Sequence, residues 1–202
     1  MQSAPRLLLA SASPRRSALL EQAGLPADRI LAADIDETPH PKESPLAYAE
    51  RIARQKAEAV QARLGNEASH FYLLSADTVV TTGTRILGKA EDEATARRFL
   101  RLLSGKRHRV HTALCLITPQ GRRLERCVTS LVAFKRLEAL EIEEYIASGE
   151  WRGKAGGYAI QGLAGAYIRW MSGSYTNIVG LPLYETRSLL LGAGYSPAPR
   201  NL

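Results

Sequence analysis

Between Leu8 and Arg16 the chain reads Leu-Leu-Ala-Ser-Ala-Ser-Pro-Arg-Arg, which sets two hydroxyls (Ser11, Ser13) and two guanidiniums (Arg15, Arg16) close together. Ser13 followed by Pro14 marks a helix start, with a hydroxyl at the cap position and a proline where no backbone donor is needed. A helix start exposes unpaired amides and carries partial positive charge, so the segment reads as an anion site. Arginine forks match several phosphate oxygens at once, which a single lysine does not. No Gly-rich run ending in Lys-Ser or Lys-Thr is present, so this is not a Walker loop. The plainer reading is an exposed basic first turn, an arrangement the helix dipole opposes.

Further along, Asp34, Asp36 and Glu37 form an acidic cluster. Lys56 stands midway between Ile52 and Val60 at helical spacing and so projects from the buried side of its helix. A lysine there either runs along the core edge or meets an anion in a cleft. Asp77 falls at the expected end of a core strand, Phe71–Leu74, where a carboxylate is costly unless paired, metal-bound or hydrogen-bonded. Trp151–Gly165 concentrates glycines around Lys154, Tyr158 and Gln161. Such density permits close backbone approach to a ligand or unusual dihedrals, and the embedded Tyr158, Ile160 and Gln161 argue for a shaped loop. His108 and His111 would face opposite sides of a strand, so they are not a metal pair. With His40 and His70 they read as structural or surface residues.

The elements that must position these groups follow from periodicity. Helices are expected from Pro14 (stripe Ala18, Leu19, Leu20, Ala23, closed by Gly24) and from Ser44-Pro45 to about Leu64. The second helix buries Leu46, Ala49, Ile52, Ala53, Ala57 and Val60. Further helices span Asp92–Leu103, Glu138–Ser148 and Pro182–Leu191. Strands are expected at Leu7–Ala10, Ile30–Asp34, Phe71–Leu74, Ile86–Leu87 and Tyr167–Met171. Two longer ones, Arg109–Ile117 and Leu124–Phe134, form a hairpin through Pro119–Gly121. Gly173–Gly180 reads as a loop, and Pro197 and Pro199 begin a frayed tail. The pattern is mixed α/β with at least part of the sheet antiparallel.

At 202 residues a single domain, 1–202, is the default. Lysine and arginine number 27 against 20 acids, giving a net charge of +7, which suits an anionic partner without separating nucleic acid from nucleotide. Aromatics are only 6% and not interleaved with a basic stripe, so no stacking platform for RNA is apparent. No apolar run approaches a membrane span and no signal peptide is seen, so a soluble cytoplasmic protein is expected. Cys115 and Cys127 lack metal-site spacing and read as core thiols, although a hairpin could bring them together.

These stretches resemble the Maf family of nucleotide pyrophosphatases from Leu8 to about Gly194. The resemblance rests on Ser11-Ala12-Ser13-Pro14-Arg15-Arg16, Asp36-Glu37, Lys56-Ala57, Ala76-Asp77-Thr78, Gly88-Lys89 and Ser104-Gly105 in order. Lys154-Ala155-Gly156, Ile160-Gln161-Gly162 and Gly180-Leu181-Pro182-Leu183 follow. Three positions depart from the family pattern: Ser75 where glycine is common, Ala90 where proline often follows Gly-Lys, and Ala113 where glycine often follows threonine. None removes a catalytic group.

The resemblance implies an α/β fold with an elongated mixed sheet flanked by helices and a deep cleft, assembled as a homodimer. It implies hydrolysis of nucleoside triphosphates to the monophosphate and pyrophosphate with Mg²⁺, Mn²⁺ or a similar divalent metal cation. The Ala155–Gly162 segment is similar to the branch acting on dTTP and UTP. On this reading Arg15, Arg16, Lys56 and Lys89 hold the phosphate chain, with hydrogen bonds from Ser11 and Ser13. Glu37 and Asp77 ligate the metal, a hard cation that prefers oxygen donors. Asp77 is also the general base; a carboxylate is a weak base toward water, so the metal must acidify that water. Arg15, Thr78 and Gln161 set specificity, the Gln161 amide being able to donate to and accept from a pyrimidine edge. Two other readings compete: the same reaction on a modified nucleotide such as 7-methyl-GTP or a deaminated purine, and a non-catalytic nucleic-acid or division-associated binding protein. Glu37 and Asp77 tell against the last, because a polyanion binder gains nothing from acids beside its arginines. No nucleic-acid or membrane partner is therefore expected.

Overall fold

A computed structural model describes residues 6–197; the tail expected around Pro199 lies outside the described residues. The strands are β1 (Arg6–Leu9), β2 (Arg29–Ile30), β3 (Phe71–Thr82), β4 (Arg85–Leu87), β5 (Arg107–Ile117), β6 (Arg123–Phe134) and β7 (Ile168–Ser172). The helices are α1 (Pro14–Gln22), α2 (Pro45–Leu64), α3 (Glu93–Leu103), α4 (Ala139–Ser148), α5 (Tyr175–Val179) and α6 (Leu183–Gly192). The strands pair in the order β2-β1-β3-β5-β6-β7, with β4 on β3. β1 runs parallel to β2 and β3, whereas β3–β4 and β6–β7 are antiparallel, so the sheet is mixed as expected.

The chain divides into two compact units. The first comprises 6–77, Thr112–Cys127 and 180–197. Its centre is β1, where Leu7, Leu8 and Leu9 are all fully buried, the signature of a strand covered on both faces. On α2 the Ser44 hydroxyl accepts from the Ala47 amide, as the Ser-Pro start implies. This helix buries Tyr48, Ala49, Ile52, Ala53, Lys56, Ala57 and Val60. Leu46, expected in the stripe, is exposed, because the buried face begins at Tyr48. On α1 only Leu19 and Leu20 are buried, while Ala18 is exposed.

The second unit comprises Thr78–His111 and Val128–Val179. Here α3 buries Ala96, Phe99, Leu100 and Leu103 and packs on α4, which buries Ile142, Tyr145 and Ile146. Asp92 caps α3 through the Thr95 amide at 2.6 Å.

Three expectations change. β3 runs on to Thr82, so Asp77 lies within a strand rather than at its end. The β-branched run Val79–Thr82 continues the strand and pairs Val80 with Leu87 and Thr82 with Arg85. β2 is only two residues long, because its partner β1 ends at Leu9. Gly173–Gly180 is not all loop: the Ser174 hydroxyl accepts from the Asn177 amide and starts the short helix α5. Neither Cys115, which is buried, nor Cys127, which is partly so, forms a disulfide among the described residues.

In the second unit His108 is a core residue. Its Nε2 pairs with the Tyr158 hydroxyl at 2.7 Å, and its ring lies edge-on to Phe134 and Tyr158. Burial pushes the imidazole down from 6.5 to about 4. The folded state therefore holds it neutral, while the unfolded chain takes a proton below pH 6.5. Its contribution is complete above pH 6.5 and is lost as pH falls toward 4, a loss of about 3 kcal/mol. Urea unfolding at pH 7 and pH 4 is expected to show that loss in the wild type. It should be much smaller in His108→Gln, which keeps a partner for Tyr158 but cannot be protonated. An equal pH dependence in the two proteins would contradict the assignment.

Candidate active site

The site is built from the start of α1. Ser13 occupies the cap position, but its hydroxyl makes no cap bond. The Arg16 amide takes the Ser13 carbonyl at 3.1 Å instead. The buried hydroxyl that organises the turn is Ser11, which accepts from the Ser13 amide at 3.2 Å and from Arg16 Nη1 at 3.0 Å. Arg16 Nε donates to the Gly180 carbonyl at 2.9 Å, so the guanidinium is locked inward by a contact 164 residues away in the chain. Burial pushes the Arg16 guanidinium down from its ordinary value, and the charges of Asp77 and Glu37 partly offset that push. Arg15, half-buried, is pushed down by burial too.

Lys56 is buried and meets two acids. Its Nζ lies 2.7 Å from Asp77 Oδ1 and 2.9 Å from Glu37 Oε1. Lys56 is thus paired with two acids of its own chain. Ser75, two residues before Asp77 and so on the same face of β3, donates to the Ala53 carbonyl of α2 at 2.5 Å. This departure from the family pattern ties β3 to the helix that carries Lys56.

Glu37 is held by residues that sequence reasoning missed. The Tyr48 hydroxyl donates to the Glu37 carbonyl at 2.8 Å, and burial pushes this phenol up to about 12, keeping it a donor. Arg51 reaches the Thr38 carbonyl at 3.0 Å and forks onto both oxygens of Glu43 at 2.7 Å. Hydrogen bonds from Arg51 hold the Glu43 carboxyl down to about 2. Asp36 makes a local turn, accepting from the Thr38 amide at 2.8 Å. The overlooked signal is spacing: Tyr48, Ile52 and Lys56 repeat every fourth residue on one stripe of α2.

Ser11, Ser13, Arg15, Arg16, Glu37, Lys56 and Asp77 thus all belong to the first unit, and the second holds Thr78, Lys89 and Gln161. Thr78 follows Asp77 directly in β3 and faces the other side of the strand. Lys89 bridges to Ala155, and the Gly156 amide donates to the Leu87 and Gly88 carbonyls, which fixes the Gly-rich segment on the end of β4. The segment is a shaped loop, as expected. The Ala159 amide donates to the Tyr145 hydroxyl at 3.0 Å, the Trp151 indole to the Ile146 carbonyl at 3.1 Å, and the Leu163 amide to Glu150 at 2.9 Å. Gln161 is exposed in this braced stretch.

Glu37 and Asp77 suit a hard divalent cation, since both carboxylates reach one point and both are oxygen donors. Among the described residues no group of three or more His, Cys, Asp or Glu could hold a metal ion. The remaining ligands of such an ion would be phosphate oxygens and water, the habit of Mg²⁺ in nucleotide sites.

A helix start carrying the inward-held Arg16, a buried lysine between two acids and a mixed sheet describe an α/β protein with a charged site. The chain belongs to the Maf-like protein family, whose model matches residues 6–193. It is 58% identical over 196 residues to the dTTP/UTP pyrophosphatase of Rhodospirillum rubrum, covering 97% of this chain and 91% of that protein. It is 57% identical over 192 residues to the dTTP/UTP pyrophosphatase of Mesorhizobium japonicum, covering 94% and 92%. A solved nucleoside-triphosphatase (dITP/XTP pyrophosphatase) from Mycobacterium abscessus aligns at 18% identity with a TM-score of 0.41, over 66% of this chain and 76% of that one.

Proposed function

We propose that this chain is a nucleoside triphosphate pyrophosphatase that hydrolyses dTTP and UTP to the monophosphate and pyrophosphate. The observation that carries the reading is the Lys56 ammonium held between Glu37 and Asp77 in the unit that also contains the Ser11–Arg16 helix start. The relatives named dTTP/UTP pyrophosphatase support the substrate.

Cleavage between the α- and β-phosphates needs a neutralised triphosphate, an oriented water and a stabilised leaving group. Arg16, fixed by Ser11 and Gly180, brings its charge to the phosphate chain. Arg15 adds charge beside it, and Lys56, on a flexible stem, can follow a phosphate oxygen. Asp77 accepts the proton of the attacking water. A bound divalent ion, held by Glu37 and Asp77, supplies charge neutralisation and a more acidic water. Lys89 is assigned to the phosphate chain, and Thr78, Gln161 and Arg15 to base recognition, as the family resemblance implies. A cytoplasmic homodimer acting on free nucleotides completes the reading; no helix among the described residues is long and apolar enough to cross a membrane.

Anion-exchange separation of the products from dTTP tests the bond cleaved. dTMP and pyrophosphate are expected; dTDP and orthophosphate would place attack at the γ-phosphate and overturn the reading. Gln161→Ala is expected to lower kcat/KM for dTTP about 10-fold, the worth of one well-made hydrogen bond, with less effect on dCTP. Equal losses on both nucleotides would remove Gln161 from base recognition.

A further inference from the structure

We infer that Lys56 holds the place of the divalent cation in the nucleotide-free protein, so that the metal enters with the triphosphate rather than ahead of it. The inference rests on the proposed reading of Glu37 and Asp77 as the metal's carboxylates.

The geometry is direct. An ammonium within 2.7 Å of one carboxylate and 2.9 Å of the other occupies the point where both would meet a metal ion. Metal–oxygen bonds to the same two groups are about 2.0–2.1 Å for Mg²⁺, so ion and ammonium cannot share that space. Charge argues the same way. Lys56 meets both acids by contact, and Arg16 is electrostatically coupled to both. A bare divalent ion would add its positive charge beside these cations, whereas one arriving on a triphosphate brings its own anions. Those phosphate oxygens also give the Lys56 ammonium somewhere to go. Its four-carbon stem can swing without moving α2, while Tyr48 holds the Glu37 carbonyl and Arg51 the Thr38 carbonyl in place. Lys56 thus acts as a positioning residue toward the metal: it guards the acid pair and yields it to the metal–nucleotide complex.

The test is calorimetric titration of Mn²⁺ alone into the nucleotide-free protein, wild type beside Lys56→Met and Lys56→Arg. Lys56→Met, similar in length and uncharged, is expected to bind Mn²⁺ at least 10-fold more tightly than the wild type. Lys56→Arg keeps the charge and is expected to bind as weakly as the wild type. A dTTP analogue with an imido group between the α- and β-phosphates should tighten Mn²⁺ binding to the wild type at least 10-fold. The same analogue should change Lys56→Met much less, because no ammonium is left for the nucleotide to draw off the acid pair. Circular dichroism confirms folding, and Lys56→Gln replaces the Met variant if that one is unfolded. Equal Mn²⁺ affinity in wild type and the uncharged variant overturns the inference, as does an uncharged variant that binds no Mn²⁺. A wild type that hydrolyses no triphosphate would overturn the proposed function instead, and the titration of metal alone would still decide the role of Lys56.

Discussion

Asp77→Asn is expected to lower kcat on dTTP about 10²–10⁴-fold, the usual worth of a general base. Asparagine keeps the size of the side chain and an oxygen for the Lys56 ammonium, which lies 2.7 Å from Asp77 Oδ1. It loses the negative charge and the site that accepts the proton of water. Breaking a buried ion pair can cost about 3–5 kcal/mol when a charge is left alone. Here Glu37 remains at 2.9 Å from Lys56, so the ammonium keeps a partner and the fold should survive. Steady-state kinetics with a parallel thermal melt separates the two effects: kcat collapses while the melting temperature moves little. A variant within fivefold of wild-type kcat would remove Asp77 from the proton transfer.

Gly156→Ala is expected to destabilise the protein by about 2–5 kcal/mol, with two separable causes. Gly156 has φ +68°, a left-handed conformation that costs a residue with a Cβ about 1–2 kcal/mol. The added Cβ would also lie 2.8 Å from Val80 Cγ1, on a β-branched side chain that cannot turn aside. Such overpacking costs about 1–3 kcal/mol. Gly153 supplies the control: its φ is +66°, but nothing lies within 4 Å of an added Cβ. Gly153→Ala should therefore show the conformational cost alone. Urea unfolding of both variants reads the difference, and equal losses would show that Val80 plays no part.

The glycines of Trp151–Gly165 illustrate what the sequence could and could not tell. Their density pointed to unusual dihedrals or close approach, and both occur at Gly156, but the close partner there is the chain's own Val80. The Ser-Pro starts of α1 and α2 were legible because they depend on neighbours in the chain. Lys56 was legible as an inward-facing cation because helical geometry relates it to Ile52 and Val60. Its partners were not legible from periodicity. The Glu37 loop is placed by Tyr48 and Arg51 from α2, and Arg16 is oriented by Gly180 from the far end of the chain. Such tertiary contacts leave no period.

The misread elements have physical reasons of the same kind. Ser75-Ala76-Asp77-Thr78 interrupts an apolar run, so a strand seemed to end there, yet β3 continues through it. The polar side chains are met by Ala53 and Lys56 of α2, which removes the cost that made a strand end seem necessary. Ser174 lies between Gly173 and Gly180, and its hydroxyl and carbonyl, taken by the Asn177 and Ile178 amides, make a short helix of what reads as a loop. Ser13 failed as a side-chain cap because the Arg16 amide found the Ser13 carbonyl.

The most direct test of the account is pyrophosphate release with Mg²⁺ from a panel of triphosphates (dTTP, UTP, dCTP, dITP and 7-methyl-GTP), wild type beside Asp77→Asn. Release from dTTP and UTP, at least 10²-fold weaker in the variant, is the expected result. Release from no triphosphate by a folded wild-type protein, or undiminished release by Asp77→Asn, would contradict it.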